Sequence, residues 1–274
     1  MTGGAGRADG LRGVDLRLGY HGATVVHDAA ITLRSGTITA LVGPNGSGKS
    51  TLLRGLARLH PLDSGEALFA DGTPARALSA REFARRVTLL AQSRPTPSGV
   101  TVRDVVGYGR HPYRGRWRAN DPQGPEVVDR AMATTGVAAM ADRPVDELSG
   151  GESQRVWLAT CLAQDTAVLL LDEPTTFLDL RYQVEVLDLM RDLADLHAVA
   201  VGVVLHDLNQ AAAVADEVVL LHSGRVRAAG VPSEVLTEHT LTDTYGIRIE
   251  VTVDPATGLL STRPVGRHLT RVTV

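Results

Sequence analysis

The sequence predicts a protein of the α/β class, in which buried strands alternate with helices. An apolar strand at 37–42 leads through a glycine-rich loop into a helix at 50–59 that has leucines on one side. Two later apolar runs, at 167–171 and 198–205, are each followed by a stretch with helical periodicity. Short apolar runs bounded by turn residues are typical of buried strands. The alternation of such strands with helices defines the fold class.

The part of the chain before residue 93 contains the other predicted strands. Residues 1–10 are rich in glycine and alanine, and we expect them to be disordered. At 11–20 apolar and polar residues alternate, as in a half-buried strand. The tetrapeptide Ser-Ala-Arg-Glu at 79–82 has the capping-box pattern, which predicts a short helix. Three further strands are predicted, at 29–33, 66–70 and 87–91.

Residues 93–160 differ in character from the segments on either side. Proline and glycine interrupt the first part, and stretches with helical character follow. This pattern predicts a helical lobe inserted within the α/β core. The predicted helices lie at 101–108, 125–139 and 151–164.

After this lobe the core resumes, and a main domain at 11–245 is followed by an extension at 246–274. Pro232 stands at the first position of a short helix, where its fixed φ is favourable. The extension contains short strands and turns to which the sequence assigns no purpose. The resumed core is predicted to contain helices at 181–196 and 207–215 and a strand at 217–221.

Composition limits the classes of function. A hydrophobic content of 43% and a charged content of 22% are ordinary for a soluble globular protein. The formal net charge of −3 argues against bulk binding to nucleic acid or acidic lipid. The single cysteine, Cys161, excludes an internal disulfide. No signal peptide is recognised, and the longest apolar run, 198–205, is too short to span a bilayer. We therefore expect any work at a membrane to require a partner.

The glycine-rich loop fits the pattern G-x-x-x-x-G-K-S/T between a strand and a helix. Consecutive N–H groups of such a loop turn inward around phosphate, and the helix N-terminus adds partial positive charge. Lys49 is predicted to reach the β- and γ-phosphates, and the Ser50 hydroxyl to bind Mg²⁺. Lys49 is also the only lysine of the chain. The loop therefore predicts binding of a nucleoside triphosphate by Gly43, Pro44, Asn45, Gly46, Ser47, Gly48, Lys49, Ser50 and Thr51.

Two adjacent carboxylates, Asp172 and Glu173, end the apolar strand at 167–171. Two such charges at the tip of a buried strand are costly unless a cation offsets them. We predict that Asp172 belongs to the Mg²⁺ shell, and that Glu173 orients or deprotonates an attacking water. A solvated strand end is the alternative interpretation.

The segment Leu-Ser-Gly-Gly-Glu at 148–152 stands at the start of a predicted helix. On its own it is a helix-capping turn with flexible glycines. It is also a second helix N-terminus that can bind an anion, with the Ser149 hydroxyl within reach. Two anion sites for one nucleotide make sense if they face each other across a dimer.

The order of these motifs, together with Gln92, Asp179 and His206, resembles the ATP-binding subunit of an ABC transporter. The resemblance covers about 11–245 and implies a P-loop NTPase with a RecA-like core, a small antiparallel β lobe and a helical lobe at about 93–160. It implies ATP and Mg²⁺ as ligands and a head-to-tail dimer of two copies. Each ATP then lies between the phosphate loop of one copy and Ser149, Gly150 and Gly151 of the other.

The same resemblance implies roles for individual residues. Tyr20 matches the aromatic residue that stacks on adenine, and Gln92 matches the residue that senses Mg²⁺ and the attacking water. Asp179 matches the loop that crosses to the other copy, and His206 matches the residue that contacts the γ-phosphate. One departure is Glu152, where many relatives have glutamine; we expect its carboxylate to point away from the anion site.

A finer resemblance is to the import branch that serves ferric siderophores, haem and cobalamin, through the segments 101–115, 173–180 and 205–212. It implies an integral-membrane permease as partner, an extracytoplasmic substrate-binding protein indirectly, no nucleic acid, and a peripheral place on the cytoplasmic face of the membrane. An importer of zinc or manganese is the nearest alternative. A soluble ABC ATPase of DNA repair would have a long coiled coil, and no heptads occur here. A translation factor would carry two cassettes, and a P-loop kinase would lack His206 and the 149–151 motif.

Overall fold

The computed structural model describes residues 10–92, 97–114, 121–176 and 178–266. The strands in these ranges are β1 Leu11–Tyr20, β2 Ala23–Leu33, β3 Ile38–Val42, β4 Ser64–Phe69, β5 Val87–Leu90, β6 Val168–Asp172, β7 Ala200–Val204, β8 Glu217–His222, β9 Arg225–Gly230, β10 Ile249–Val253 and β11 Leu260–Pro264. The helices are α1 Lys49–Leu56, α2 Ala80–Ala84, α3 Val102–Tyr108, α4 Gly124–Thr134, α5 Gly150–Ala163, α6 Leu180–His197, α7 Leu208–Val214, α8 Pro232–Val235 and α9 Glu238–Tyr245.

A six-stranded sheet forms the core, with strand order β5-β6-β7-β3-β8-β9. The first five of these strands pair in parallel, and β9 is an antiparallel edge strand. Every residue of β3, β6 and β7 is buried, as expected for strands covered on both faces. The carboxyl ends of parallel strands meet at one edge of a sheet, so the loops after β3, β6 and β7 come together there. The predicted α/β class is confirmed.

A smaller antiparallel sheet, with order β2-β1-β4, lies beside this core. The strand β2 begins at Ala23 rather than at the predicted residue 29. Its first residues are mostly exposed and lack the apolar signal of a buried strand. A two-residue turn of His21 and Gly22, both with positive φ, joins β1 to β2, as is typical of tight hairpins. Leucines 52, 53 and 56 of α1 share a buried cluster with β1 and β2, so α1 joins the two sheets.

The helices α3, α4 and α5 pack together around a separate apolar cluster. Capping boxes begin α2 at Ser79, as predicted, and α3 at Thr101. The prediction of one helix at 125–139 is wrong in length, because α4 ends at Thr134. Gly136 adopts a φ of 67°, which breaks the helix, and a short 3₁₀ turn follows at Ala138–Met140.

The ends of the chain are only partly described. Residues 1–9 and 267–274 lie outside the described ranges. Gly10 is buried and its carbonyl accepts a hydrogen bond from the Ala70 N–H at 3.1 Å, so the predicted disorder does not extend to Gly10. The extension forms an antiparallel hairpin of β10 and β11. None of the helices in the described ranges is both long enough and apolar enough to cross a bilayer.

Candidate active site

The glycine-rich loop after β3 takes a backbone path that requires glycine. Gly43, Gly46 and Gly48 have φ values of 141°, 76° and 99°. A Cβ atom on Gly43 would lie 2.1 Å from the Leu221 carbonyl oxygen, a distance that no side chain tolerates. Gly48 is the N-cap of α1, so the loop runs directly into a helix N-terminus. This is the curled, donor-lined geometry that binds phosphate.

Lys49 lies inside this loop with only 5% of its surface exposed. Its Nζ atom donates to the carbonyl oxygens of Gly43 at 2.8 Å and Pro44 at 2.9 Å. Burial lowers the pKa of Lys49, and the nearby charges of Glu173 and Asp172 partly oppose that shift. Phosphate oxygens at this position would provide the negative charge that favours the ammonium form.

The Ser47 hydroxyl indicates whether the loop fits a phosphate ligand, because its hydrogen-bonding groups must find a partner. Ser47 is buried, and its Oγ atom has no hydrogen-bond partner among the described residues. A buried polar group without a partner costs about 1–3 kcal/mol. An oxygen of a bound phosphate would satisfy this hydroxyl. The loop therefore has both the shape and an unused donor for a phosphate chain.

Asp172, at the end of β6, has no exposed surface. Its Oδ1 atom accepts a hydrogen bond from the Ser50 hydroxyl at 2.6 Å, and its Oδ2 atom lies 3.4 Å from the Arg54 guanidinium. A carboxylate and a hydroxyl side by side are oxygen ligands that suit Mg²⁺. No group of three or more His, Cys, Asp and Glu in the described part of the chain could hold a metal on its own. This pair fits an ion that takes its remaining ligands from phosphates and water.

Glu173 occupies the centre of a polar cluster. Its Oε2 atom accepts hydrogen bonds from Gln92 Nε2 at 2.6 Å and from the Thr176 hydroxyl at 3.3 Å. Its Oε1 atom lies 2.6 Å from His206 Nε2. The backbone of Glu173 has a φ of 57°, a strained conformation of the kind that concentrates at functional sites. This carboxylate is therefore fixed from three sides at the edge of the sheet.

The helix start at Ser149 differs from expectation in one respect. Ser149 and Gly150 are exposed, and Ser149 caps α5 in a capping box with Glu152. We expected the Glu152 carboxylate to point away, and that expectation is wrong. Its Oε2 atom accepts from the Ser149 N–H at 2.8 Å, and Arg143 lies 3.2 Å from Oε1. These contacts, the Ser149 backbone N–H first among them, lower the pKa of Glu152.

The remaining predicted residues lie apart from this cluster. Asp179 is exposed and caps α6, where its carboxylate accepts from the Tyr182 N–H at 3.1 Å. Tyr20 is 40% exposed, and its ring centroid lies 4.3 Å from that of His60. The structure thus brings six predicted residues together in one cluster at the edge of the sheet. Tyr20, Asp179 and the 149–151 motif lie outside this cluster. The six are Lys49, Ser50, Gln92, Asp172, Glu173 and His206.

Side-chain amides connect the loop after Glu173 to neighbouring helices. Gln154 of α5 donates to the Pro174 carbonyl at 2.6 Å. The Thr175 hydroxyl donates to Gln210 of α7 at 2.9 Å, and Gln210 donates to Gln183 of α6 at 2.8 Å. These bonds hold the loop beside Glu173 to α5 and α7 directly, and to α6 through Gln210.

Sequence reasoning missed three residues of the site. Arg54 is four residues after Ser50 in α1, so helical spacing could have placed both on one face. Thr176 follows Glu173 by three residues, within reach of a tight turn. Tyr245, at the end of α9, forms a hydrogen bond with the backbone of Gly43 in the phosphate loop. No local pattern points to that contact, because the two residues are far apart in sequence.

Replacement of Tyr245 by phenylalanine tests its contact with the phosphate loop. Burial raises the pKa of Tyr245, and the hydrogen bond from Gly43 partly offsets the shift. Loss of the hydroxyl removes this contact with the Gly43 backbone. We expect the free energy of unfolding to fall by about 0.5–1.5 kcal/mol, measured by urea denaturation. Tyr108→Phe, at an exposed tyrosine, is the matched control. Equal stability of both variants would show that the contact contributes nothing.

Comparison with known proteins gives consistent matches. A family model described as ABC transporter matches residues 26–176. The chain is 42% identical over 260 residues to the ferric enterobactin transport ATP-binding protein of Escherichia coli, covering 94% of each chain. It is 46% identical over 249 residues to the hemin import ATP-binding protein of Streptomyces coelicolor, covering 91% of this chain and 88% of that protein. A solved structure of a metal-chelate type ABC transporter, facing inward, matches with a TM-score of 0.81 at 26% identity, covering 94% of this chain and 98% of that chain.

Proposed function

This chain belongs to the ABC transporter family, whose ATP-binding subunits hydrolyse ATP, and from that premise we propose that it powers import of ferric siderophores or a related iron chelate, haem or cobalamin. The observation that supports the cargo most strongly is the similarity, along nearly the whole chain, to a ferric enterobactin transport protein. The relative named for hemin import supports the wider class of iron-containing ligands. The cargo does not contact an ATP-binding subunit directly. The proposal about the cargo therefore depends on sequence similarity and not on a binding site in this chain.

The phosphate loop is the proposed ATP site. Lys49 exchanges its two carbonyl partners for oxygens of the β- and γ-phosphates, and the Ser47 hydroxyl gains an acceptor. Tyr20 is proposed to stack on adenine, because its ring is exposed at the end of β1 and needs only a flat partner. The backbone N–H groups at 43–51, except that of Pro44, which has none, supply the remaining donors.

Ser50, Asp172 and Gln92 are the proposed Mg²⁺ site. When bound, the ion neutralises charge on the phosphate oxygens. The hydrogen bond of 2.6 Å between Ser50 and Asp172 already places two oxygen ligands side by side. Gln92 contacts Glu173 at 2.6 Å, so its side chain is able to connect the metal site to the catalytic carboxylate.

Glu173 is the proposed general base for the attacking water. Its side chain is about one-tenth exposed, and both Gln92 and His206 beside it are exposed, so water has access to this side of the carboxylate. A base must lie within hydrogen-bond reach of the proton it removes. His206 is proposed to contact the γ-phosphate and to hold Glu173 in position through the 2.6 Å contact.

A second copy of the chain is proposed to complete the site. Ser149 and Gly150 are exposed at the N-terminus of α5 and make no hydrogen bond with the phosphate loop among the described residues. In a head-to-tail dimer, the Ser149 hydroxyl and the N–H groups of Gly150 and Gly151 would face the γ-phosphate bound by the other copy. Asp179, exposed at the start of α6, is proposed to contact that copy.

An integral-membrane permease is the proposed partner, and its docking surface includes Gln92 and the segment 93–120. Of that segment, residues 93–96 and 115–120 lie outside the described ranges. The chain is then held at the cytoplasmic face of the membrane by the permease, and a substrate-binding protein acts on it indirectly. Closure of the ATP-bound dimer changes the permease, and hydrolysis reopens the pair.

Reconstitution with the membrane partner tests the cargo. The tagged chain is copurified with its permease from solubilised membranes, and the complex is placed in vesicles with a siderophore-binding protein. A ferric siderophore is expected to stimulate ATP hydrolysis and to accumulate in the vesicles in the direction of import. Haem, cobalamin, Zn²⁺ and Mn²⁺ are tested in parallel. Stimulation by Zn²⁺ or Mn²⁺ alone, or by DNA in the absence of a permease, would contradict the proposal.

A further inference from the structure

The C-terminal hairpin is bonded directly to the helix that follows His206. Asn209 lies in the first turn of α7, three residues after His206. Its Oδ1 atom accepts from the Thr262 N–H at 2.7 Å and from the Thr262 hydroxyl at 3.1 Å. Its Nδ2 atom donates to the Thr262 carbonyl at 3.4 Å. One side chain of α7 therefore binds all three polar groups of a single residue of β11.

The hairpin itself is anchored to the body of the protein. Thr262 is 8% exposed, although both of its neighbours in β11 are exposed. Ile249 of β10 is buried in the main apolar cluster, and its N–H donates to the Thr242 hydroxyl of α9 at 3.1 Å. The Val251 N–H donates to the Glu238 carboxylate at 3.1 Å. The bond to Asn209 thus connects α7 to a fixed element rather than to a free tail.

His206 needs such an external support. The side chain of His206 is 42% exposed, so packing alone does little to hold its ring beside Glu173. Its backbone position depends on the end of β7 and the start of α7. Asp207 caps α7 by accepting from the N–H groups of Asn209 and Gln210, at 2.7 and 3.3 Å. A shift of Asn209 would therefore move the cap and the histidine together.

We propose that Asn209 and Thr262 are positioning residues for ATP hydrolysis: the hairpin β10–β11 fixes the start of α7 and thereby holds His206 against Glu173. This inference rests on the roles proposed above for His206 and Glu173. It gives the hairpin of the C-terminal extension, to which the sequence assigns no purpose, a role in ATP hydrolysis. Asn209 and Thr262 make no hydrogen bond with Lys49 or the phosphate loop among the described residues, so we expect variants of these two residues to retain ATP binding.

Substitutions at both ends of this contact test the inference in the full-length chain. Asn209→Ala removes every bond of the side chain, and we expect kcat to fall about tenfold with KM for ATP unchanged; a misplacement of 1 Å can cost roughly 10²-fold. Thr262→Val removes only the hydroxyl bond and is expected to show a smaller loss. Thr262→Ser retains all three bonds and is expected to restore the normal kcat. Thr252→Val is the matched control, because it makes the same change at an exposed threonine of the same hairpin and leaves both the bonds to α7 and the bonds to α9 in place.

The melting temperature of each variant is measured, and its kinetics are recorded at a temperature well below that melting temperature. A lower melting temperature for Asn209→Ala and Thr262→Val with a normal kcat in both would overturn the inference, since the contact would then be structural only. An equal loss of kcat in Thr252→Val would also overturn it. Glu173→Gln and His206→Ala are included in the series. If these two lose activity while Asn209→Ala keeps it, the catalytic assignment stands and only the positioning role fails; if both keep normal activity, the catalytic assignment itself is wrong.

Discussion

Replacement of Glu173 by glutamine is expected to slow ATP hydrolysis by about 10²–10⁴-fold and to leave ATP binding intact. The amide has nearly the same shape as the carboxylate and can keep hydrogen bonds to neighbours such as Thr176 and His206. It cannot accept the proton of an attacking water. Because the phosphate loop is unchanged, the nucleotide should bind without being hydrolysed.

Phosphate release under saturating ATP and Mg²⁺ measures this effect, and equilibrium binding of ATP is measured on the same preparation. Glu126→Gln makes the same chemical change at an exposed position in the first turn of α4 and is expected to hydrolyse ATP normally. A normal rate of hydrolysis by Glu173→Gln would show that another group is the base. Loss of ATP binding would instead indicate that Glu173 supports the phosphate loop.

Replacement of Lys49 by alanine is expected to abolish measurable ATP binding. The ammonium is the one buried cation of the loop, and hydrogen bonds to charged groups contribute about 1.5–3 kcal/mol each. The variant also loses the two hydrogen bonds from Lys49 to the Gly43 and Pro44 carbonyls, so its melting temperature is measured beside its ATP binding. Loss of binding without loss of stability would separate a ligand contact from a structural one.

Lys49→Arg tests whether the loop requires the shape of the ammonium group as well as its positive charge. It retains a positive charge, but a planar guanidinium is wider than an ammonium and does not fit the closed loop between the Gly43 and Pro44 carbonyls. We expect titration calorimetry to detect no ATP binding to either variant. Unchanged affinity in Lys49→Ala would contradict the assignment of the phosphate loop as the ATP site.

The local patterns of the sequence predicted the parts of the fold that depend on neighbouring residues. The loop at 43–51 and the strand that ends at Asp172 are each specified by a short run of residues. The capping box at Ser79 is specified by residues three apart, and it forms as expected. Such patterns also predicted that Asp172 and Glu173 end a buried strand, because apolar run and carboxylates are contiguous.

Contacts between distant segments were not predictable in this way. The hydrogen bond between Tyr245 and Gly43, and that between Thr262 and Asn209, depend on how the C-terminal segment folds back on the core. The helix α9 has threonine at three of its eight positions, and threonine has low helix propensity, so its sequence gave little signal. The orientation of Glu152 was mispredicted for a different reason: Ser149 and Glu152 have the same capping-box spacing as Ser79 and Glu82, and that local pattern was not applied at this helix.

The central claim is that the phosphate loop is half of a catalytic site and that a second copy supplies the other half. The molar mass of Glu173→Gln, measured by light scattering on a sizing column with ATP and Mg²⁺, tests it most directly. We expect twice the 29.1 kDa of one chain, and the mass of a single chain when Ser149→Arg is added to the same variant. A single-chain mass for Glu173→Gln with ATP demonstrably bound would contradict the claim.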